Sequence, residues 1–131
     1  MGKALMIFPY REDAKSLSFP IVPLYLYAGE KGFDSSALID SGATVSVFRP
    51  EVALNLGLSI ESGKEVFLGG VGGHIKGYRH EVEIEIAKNK FLCPIVFSRE
   101  YFSSFNLLGR EVFFKKFRII FEEKKKKVIL E

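Results

Sequence analysis

The stretch Ala37-Leu38-Ile39-Asp40-Ser41-Gly42-Ala43-Thr44-Val45-Ser46-Val47-Phe48 decides how this chain is read. One acidic residue, Asp40, follows an apolar run directly and stands ahead of a Ser-Gly pair. A carboxylate at the end of a buried strand is costly unless it is paired or used. If Asp40 does chemistry as half of a carboxylate pair, the pair needs a second acid.

The segments on either side are β-type. Phe19–Tyr27, "FPIVPLYLY", is apolar and aromatic, and "AGEKG" after it reads as a turn. With "SSALID" it predicts a hairpin whose second strand delivers Asp40. Downstream, "RPEVALNLGL" places Pro50 in a first helical turn and Gly57 at a stop, which predicts a helix of about two turns. "VEIEIA", Val82–Ala87, alternates strictly, as a half-buried strand does. "KNK" is its turn and "FLCPIVFS" its partner. "GREVFFKKF", Gly109–Phe117, reads as a second short helix, and "FRIIFEE" with "KVILE" as a terminal hairpin around a lysine run.

Bulk properties limit the possibilities. The 131 residues suffice for one domain, read here as 1–131 with residues 1–18 an N-terminal extension or first strand. Apolar residues make up 47% and the chain has 13 Phe, ample for a packed core. The net charge is only +3. A basic nucleic-acid-binding barrel would rest only on the lysines and some aromatics, and a solvated turn explains the C-terminal lysine run at least as well. The single cysteine, Cys93, allows no internal disulfide and reads as a small buried apolar residue. No apolar segment reaches membrane-spanning length, and charges follow the first short apolar stretch too soon for a signal peptide. The expectation is a soluble, cytoplasmic protein.

Val66–Tyr78, "VFLGGVGGHIKGY", carries glycines at 69, 70, 72 and 73. Glycine adopts backbone conformations closed to other residues and lets a ligand approach the backbone. The flanks can pair, so a long hairpin with Val71 at its tip is expected, able to cover a groove. Phosphate-loop readings fail here. "GLSIESGKE" has five residues between its glycines and Glu65 where Ser or Thr belongs, and Ile75 stands where a dinucleotide fingerprint needs its third glycine. His74 and His80 share a strand face, but a zinc site needs more ligands than the chain offers nearby, so no metal is expected. Tyr78 and Tyr101 read as packing residues.

Taken together, "ALIDSGA", "LGGVGG" and "FNLLGREVF" resemble, in order and spacing, the motifs of retroviral-type (retropepsin-like) aspartic proteases over roughly Phe19 to Glu131. The resemblance implies a mostly β fold: a small closed barrel with a flap hairpin and one or two short helices. It implies a homodimeric aspartic endopeptidase with no cofactor, acting on peptide or protein substrates, with no nucleic acid and no membrane as partner. Only three aspartates are present, Asp13, Asp34 and Asp40, and only Asp40 precedes Ser-Gly. The second acid would then be Asp40 of another copy across a two-fold axis.

By the same resemblance, Asp40 is the catalytic residue. Ser41 braces the two active-site turns, Gly42 admits substrate backbone, and Ala43 leaves the groove open. Leu68, Gly69, Gly70, Val71, Gly72 and Gly73 form the flap. Thr44, Leu108, Gly109 and Arg110 are structural residues near the site. Many retroviral enzymes have an aspartate where this chain has Thr44, so Arg110 needs a different partner, a backbone carbonyl or an acid from the other subunit. The strand "KVILE" is expected to share in the dimer interface. The alternative reading is a non-catalytic peptide-binding or dimerisation module on the same fold.

Overall fold

The structure is a computed structural model that describes residues 5–70 and 72–131. Strand accounts for 54% of the described residues and helix for 13%, so the fold is mostly β. The chain begins with β1 (Met6–Pro9) and the short pair β2 (Arg11–Glu12) and β3 (Ser18–Phe19). Next comes the hairpin β4 (Ile21–Ala28) and β5 (Lys31–Ile39), which ends where Asp40 begins. β6 (Ser46–Phe48) leads into α1 (Pro50–Asn55). The long hairpin β7 (Lys64–Gly70) and β8 (Gly73–Ile86) is followed by β9 (Asn89–Phe97). β10 (Leu107–Leu108), α2 (Phe113–Lys116), β11 (Ile119–Glu122) and β12 (Lys127–Leu130) complete the chain.

The main sheet runs β4-β5-β10-β6-β9-β8-β7, and β4 also pairs with β8. Strand pairing thus passes from β4 through β5, β10, β6, β9 and β8 and returns to β4, with β7 outside the circuit. Alternation explains the burial. Val82, Ile84 and Ile86 on β8 and Val22, Leu24 and Leu26 on β4 turn inward, while Glu81, Glu83 and Glu85 and Pro23, Tyr25 and Tyr27 lie between them on the more exposed face. They meet Phe48, Phe97, Phe113, Ile95 and Leu108, all fully buried. A side chain of this size contributes about 1.5–3 kcal/mol when fully buried.

The two turns are tighter than the sequence suggests. Ala28 pairs with Lys31, so the first turn is Gly29-Glu30, and Ile86 pairs with Asn89, so the second is Ala87-Lys88 rather than "KNK". Both Ala87 (φ 50°) and Lys88 (φ 65°) are left-handed, the backbone of a two-residue hairpin turn that follows the right-handed strand twist. The first strand also starts later than expected, at Ile21, because Phe19 belongs to β3. Gly57, at φ 73°, stops α1 as expected. Its amide donates to Leu54 O (3.0 Å) and that of Leu58 to Ala53 O (2.9 Å), a paired C-terminal cap.

The terminal hairpin is present but has a third member. β12 lies between β1 and β11, with Met6 opposite Leu130 and Ile119 opposite the same residue. Both edges of the "KVILE" strand are therefore paired within the chain, and the edges left unpaired among the described residues are those of β1 and β11. The lysine run forms a 3-10 turn, as expected of a solvated connection. No helix among the described residues is long and apolar enough to cross a membrane.

Candidate active site

Asp40 leaves the end of β5, and the chain turns at once. The Ala43 amide donates to Asp40 O (3.2 Å), and the Gly42 amide donates to the Asp40 carboxylate at Oδ1 (2.9 Å). Asp40 is half-buried, and one oxygen of its carboxylate is fixed by a hydrogen bond at the surface. Ser41 and Gly42 are exposed and Ala43 is half-buried.

The turn is held from below by β10. Leu107 and Leu108 run parallel to Leu38 and Ile39 on one side, while Leu107 faces Val47 of antiparallel β6 on the other. The Asp40 amide donates to Leu108 O (3.0 Å), the Arg110 amide to Ala43 O (2.8 Å) and the Glu111 amide to Thr44 O (2.9 Å). The "LLGR" segment is thus threaded between the arms of the Asp40 loop. Gly109 is required at the crossing. A Cβ there would meet the Val45 carbonyl in hard overlap and Ala43 O at 2.9 Å. Its amide donates to the hydroxyl of fully buried Ser46 (3.0 Å).

The glycine hairpin pairs as the sequence suggests, with Leu68 opposite Ile75, Gly69 opposite His74 and Gly70 opposite Gly73. Gly72 (φ 98°) and Gly73 (φ 126°) adopt conformations that disfavour other residues. The expected tip residue, Val71, lies outside the described residues. A cavity of about 250 Å³ opens under the hairpin, lined by Leu68, Gly69, Gly70, Gly73, Ile75, Val47 and Tyr101.

Tyr101 is more than a packing residue. Its ring lines this cavity, and its hydroxyl donates to Phe105 O (2.6 Å). Burial raises its phenol pKa and the negative charge of Asp40 adds to the rise, so Tyr101 ties the cavity electrostatically to the carboxylate. Asn106 was also not singled out in the sequence. It is buried, its Nδ2 donates to Ser35 Oγ (3.1 Å) and Ser36 O (2.9 Å), and its Oδ1 accepts from the Arg49 amide (2.8 Å). The signal available was an Asn directly before an apolar pair, in a chain with few Asn.

Arg110 is exposed and has no carboxylate or carbonyl partner for its side chain among the described residues. Neighbouring Glu111 is bound instead by Arg79, the two atoms of its carboxylate meeting one guanidinium nitrogen. His80 places Nε2 2.9 Å from Ile60 O and packs edge-on against Phe97, while His74 is exposed. Among the described residues no group of three or more His, Cys, Asp or Glu is arranged to hold a metal ion.

This loop, hairpin and threaded strand fall together within a single match to known proteins. A family model described as aspartyl protease matches residues 27–112. The chain belongs to the aspartyl protease family. The matched span runs from the end of β4 to Val112 and so holds Asp40, the glycine hairpin and the "LLGR" strand, while the terminal sheet lies outside it. No curated protein matches the chain.

Proposed function

We propose that the chain acts as a homodimeric aspartic endopeptidase in which each subunit supplies Asp40. One observation carries this reading: Asp40, half-buried and with one carboxylate oxygen held by the Gly42 amide, acts electrostatically on Tyr101, which lines the cavity under the glycine hairpin. Neither other aspartate is a candidate for the second acid. Asp13 accepts from the amides of Lys15 and Leu17 in its own loop, and Asp34 lies on β5 opposite Tyr25.

Two carboxylates held about 3 Å apart share one proton, because both cannot ionise easily at that distance. The resulting pKa values belong to the pair. The ionised member takes a proton from a water that attacks the peptide carbonyl, and the protonated member donates toward the carbonyl oxygen. Ser41 braces the turn across the dimer, Gly42 admits substrate backbone, and Gly69 to Gly73 close over an extended peptide bound as an added strand. The apolar lining, Val47, Leu68 and Ile75, favours cleavage between apolar residues. The strand circuit serves as the closed barrel that keeps this frame rigid. Dimer contacts fall to the terminal sheet. There β1 and β11 have edges left unpaired among the described residues, and Leu5 and Ile7 are each 52% exposed.

The hairpin-roofed cavity also suits a binding module that holds peptides without cutting them. The test that separates the two compares cleavage of a denatured protein pool by the native chain and by Asp40→Asn. Cuts between apolar residues made only by the native chain support the peptidase. Cleavage that survives the substitution, or binding without any cleavage, sets it aside.

A further inference from the structure

A second cavity, about 340 Å³, begins where the Asp40 turn ends. It is lined by Thr44, Arg110, Glu111, Phe114 and Lys115. The hydrogen bonds from the Arg110 amide to Ala43 O and from the Glu111 amide to Thr44 O fix its floor to the active-site loop. Its far wall is set by an unusual bend. Val112 has φ 65° and ψ −56°, and the Phe113 amide donates to Glu111 O (2.8 Å), which together make a γ-turn. That conformation is rare and strained, most of all for a β-branched residue. It starts α2 so that the Phe114 amide donates to Arg110 O (3.2 Å) and Phe114 and Lys115 face the same space as Arg110. Strain of this kind persists where the surroundings impose it and clusters at binding sites.

The charges do not balance. Glu111 is paired with Arg79, which also meets Glu81 (3.5 Å), while Arg110 and Lys115 have no carboxylate partner among the described residues. Within one subunit the cavity therefore offers an apolar wall, a hydroxyl and two cations with no carboxylate partner among the described residues. That chemistry fits a carboxylate on a short aliphatic stem. We propose that this cavity is a distal substrate subsite that selects glutamate or aspartate in a peptide lying in the active-site groove. The proposal rests on the peptidase reading. It favours a substrate side chain because the cavity is continuous with the loop that bears Asp40 and is complementary in charge to an acid.

The test pairs peptides that differ only by Glu or Gln at one position, scanned outward from a cleaved apolar pair. Binding is followed by fluorescence anisotropy with Asp40→Asn, so cleavage is not needed. Glutamate at one distal position should bind about fivefold tighter at low salt, an advantage of the size expected for a partly exposed ion pair and weakened by added salt. Lys115→Ala should remove most of the preference, and Lys115→Glu should turn it toward lysine at that position. Equal binding of Glu and Gln peptides at every position, or a preference untouched by Lys115→Ala, overturns the subsite. So does conversion of a dimer to monomer by Lys115→Glu, which would assign the cavity to a subunit contact. A native chain that binds the Glu peptide selectively and never cleaves it leaves the subsite standing and removes the peptidase reading instead.

Discussion

Gly109 gives its amide to the hydroxyl of Ser46 at 3.0 Å, and its α-carbon faces the Val45 carbonyl with no room for a side chain. This contact locks the strand that crosses beneath Asp40. A methyl group there meets backbone on two sides, and backbone cannot swing away as a side-chain end can. Gly109→Ala should cost about 3 kcal/mol or more and remove activity with it, whereas Ser46→Ala should cost about 1–2 kcal/mol. Urea unfolding tests both through a lower midpoint at unchanged slope.

Asn106 joins β5 to the entry of α1 through three hydrogen bonds made by one buried amide. Asn106→Leu is close in size but leaves the Arg49 amide without its acceptor. It should destabilise by about 2–4 kcal/mol. Asn106→Asp keeps the acceptor and loses the donors, so it should fold at acidic pH better than at neutral pH, where a buried charge adds its own cost. Thermal melts of both variants at two pH values check the order.

The contrast between Asn106 and the hairpins shows what the sequence discloses. Val82, Ile84 and Ile86 announce their strand because alternation is local, and Pro50 and Gly57 bound α1 because caps are local too. The place of Asp40 at the end of its strand and the pairing of the glycine hairpin are legible for the same reason. The insertion of Leu107-Leu108 between β5 and β6 joins segments some 60 residues apart, and no local pattern encodes it. The pairing of β1 with β12 is likewise a contact between the two ends of the chain. The role of Tyr101 depends on where a loop comes to rest under the hairpin, which composition does not reveal.

The Ala87-Lys88 turn is adopted by residues poorly suited to it. Both have positive φ, a conformation that costs non-glycine residues about 1 kcal/mol or more each. Lys88→Gly should therefore raise stability by about 0.5–1 kcal/mol, the relief of strain exceeding the added freedom of the unfolded chain. A higher urea midpoint with unchanged activity is the expected result, since this turn lies outside the proposed site.

Burial pushes the Cys93 thiol up to about 11. In the native chain it should resist thiol reagents at neutral pH and react only after unfolding. The raised pKa also fixes a sign. Stability from the neutral thiol is fully present below the unfolded thiol pKa, about 8.5–9, and is lost as pH rises through about 11. Over that window Cys93 should contribute a loss of about 2–3 kcal/mol, absent from the same titration of Cys93→Ala.

The central claim is that each subunit holds half of one catalytic site. It is tested most directly by mixing native chain with Asp40→Asn at constant total concentration, after exchange of subunits. If a site needs Asp40 from two copies, activity should follow the square of the native fraction, falling to about a quarter in an equal mixture. A linear fall to about one half would mean that a single subunit carries a complete site and would contradict the account.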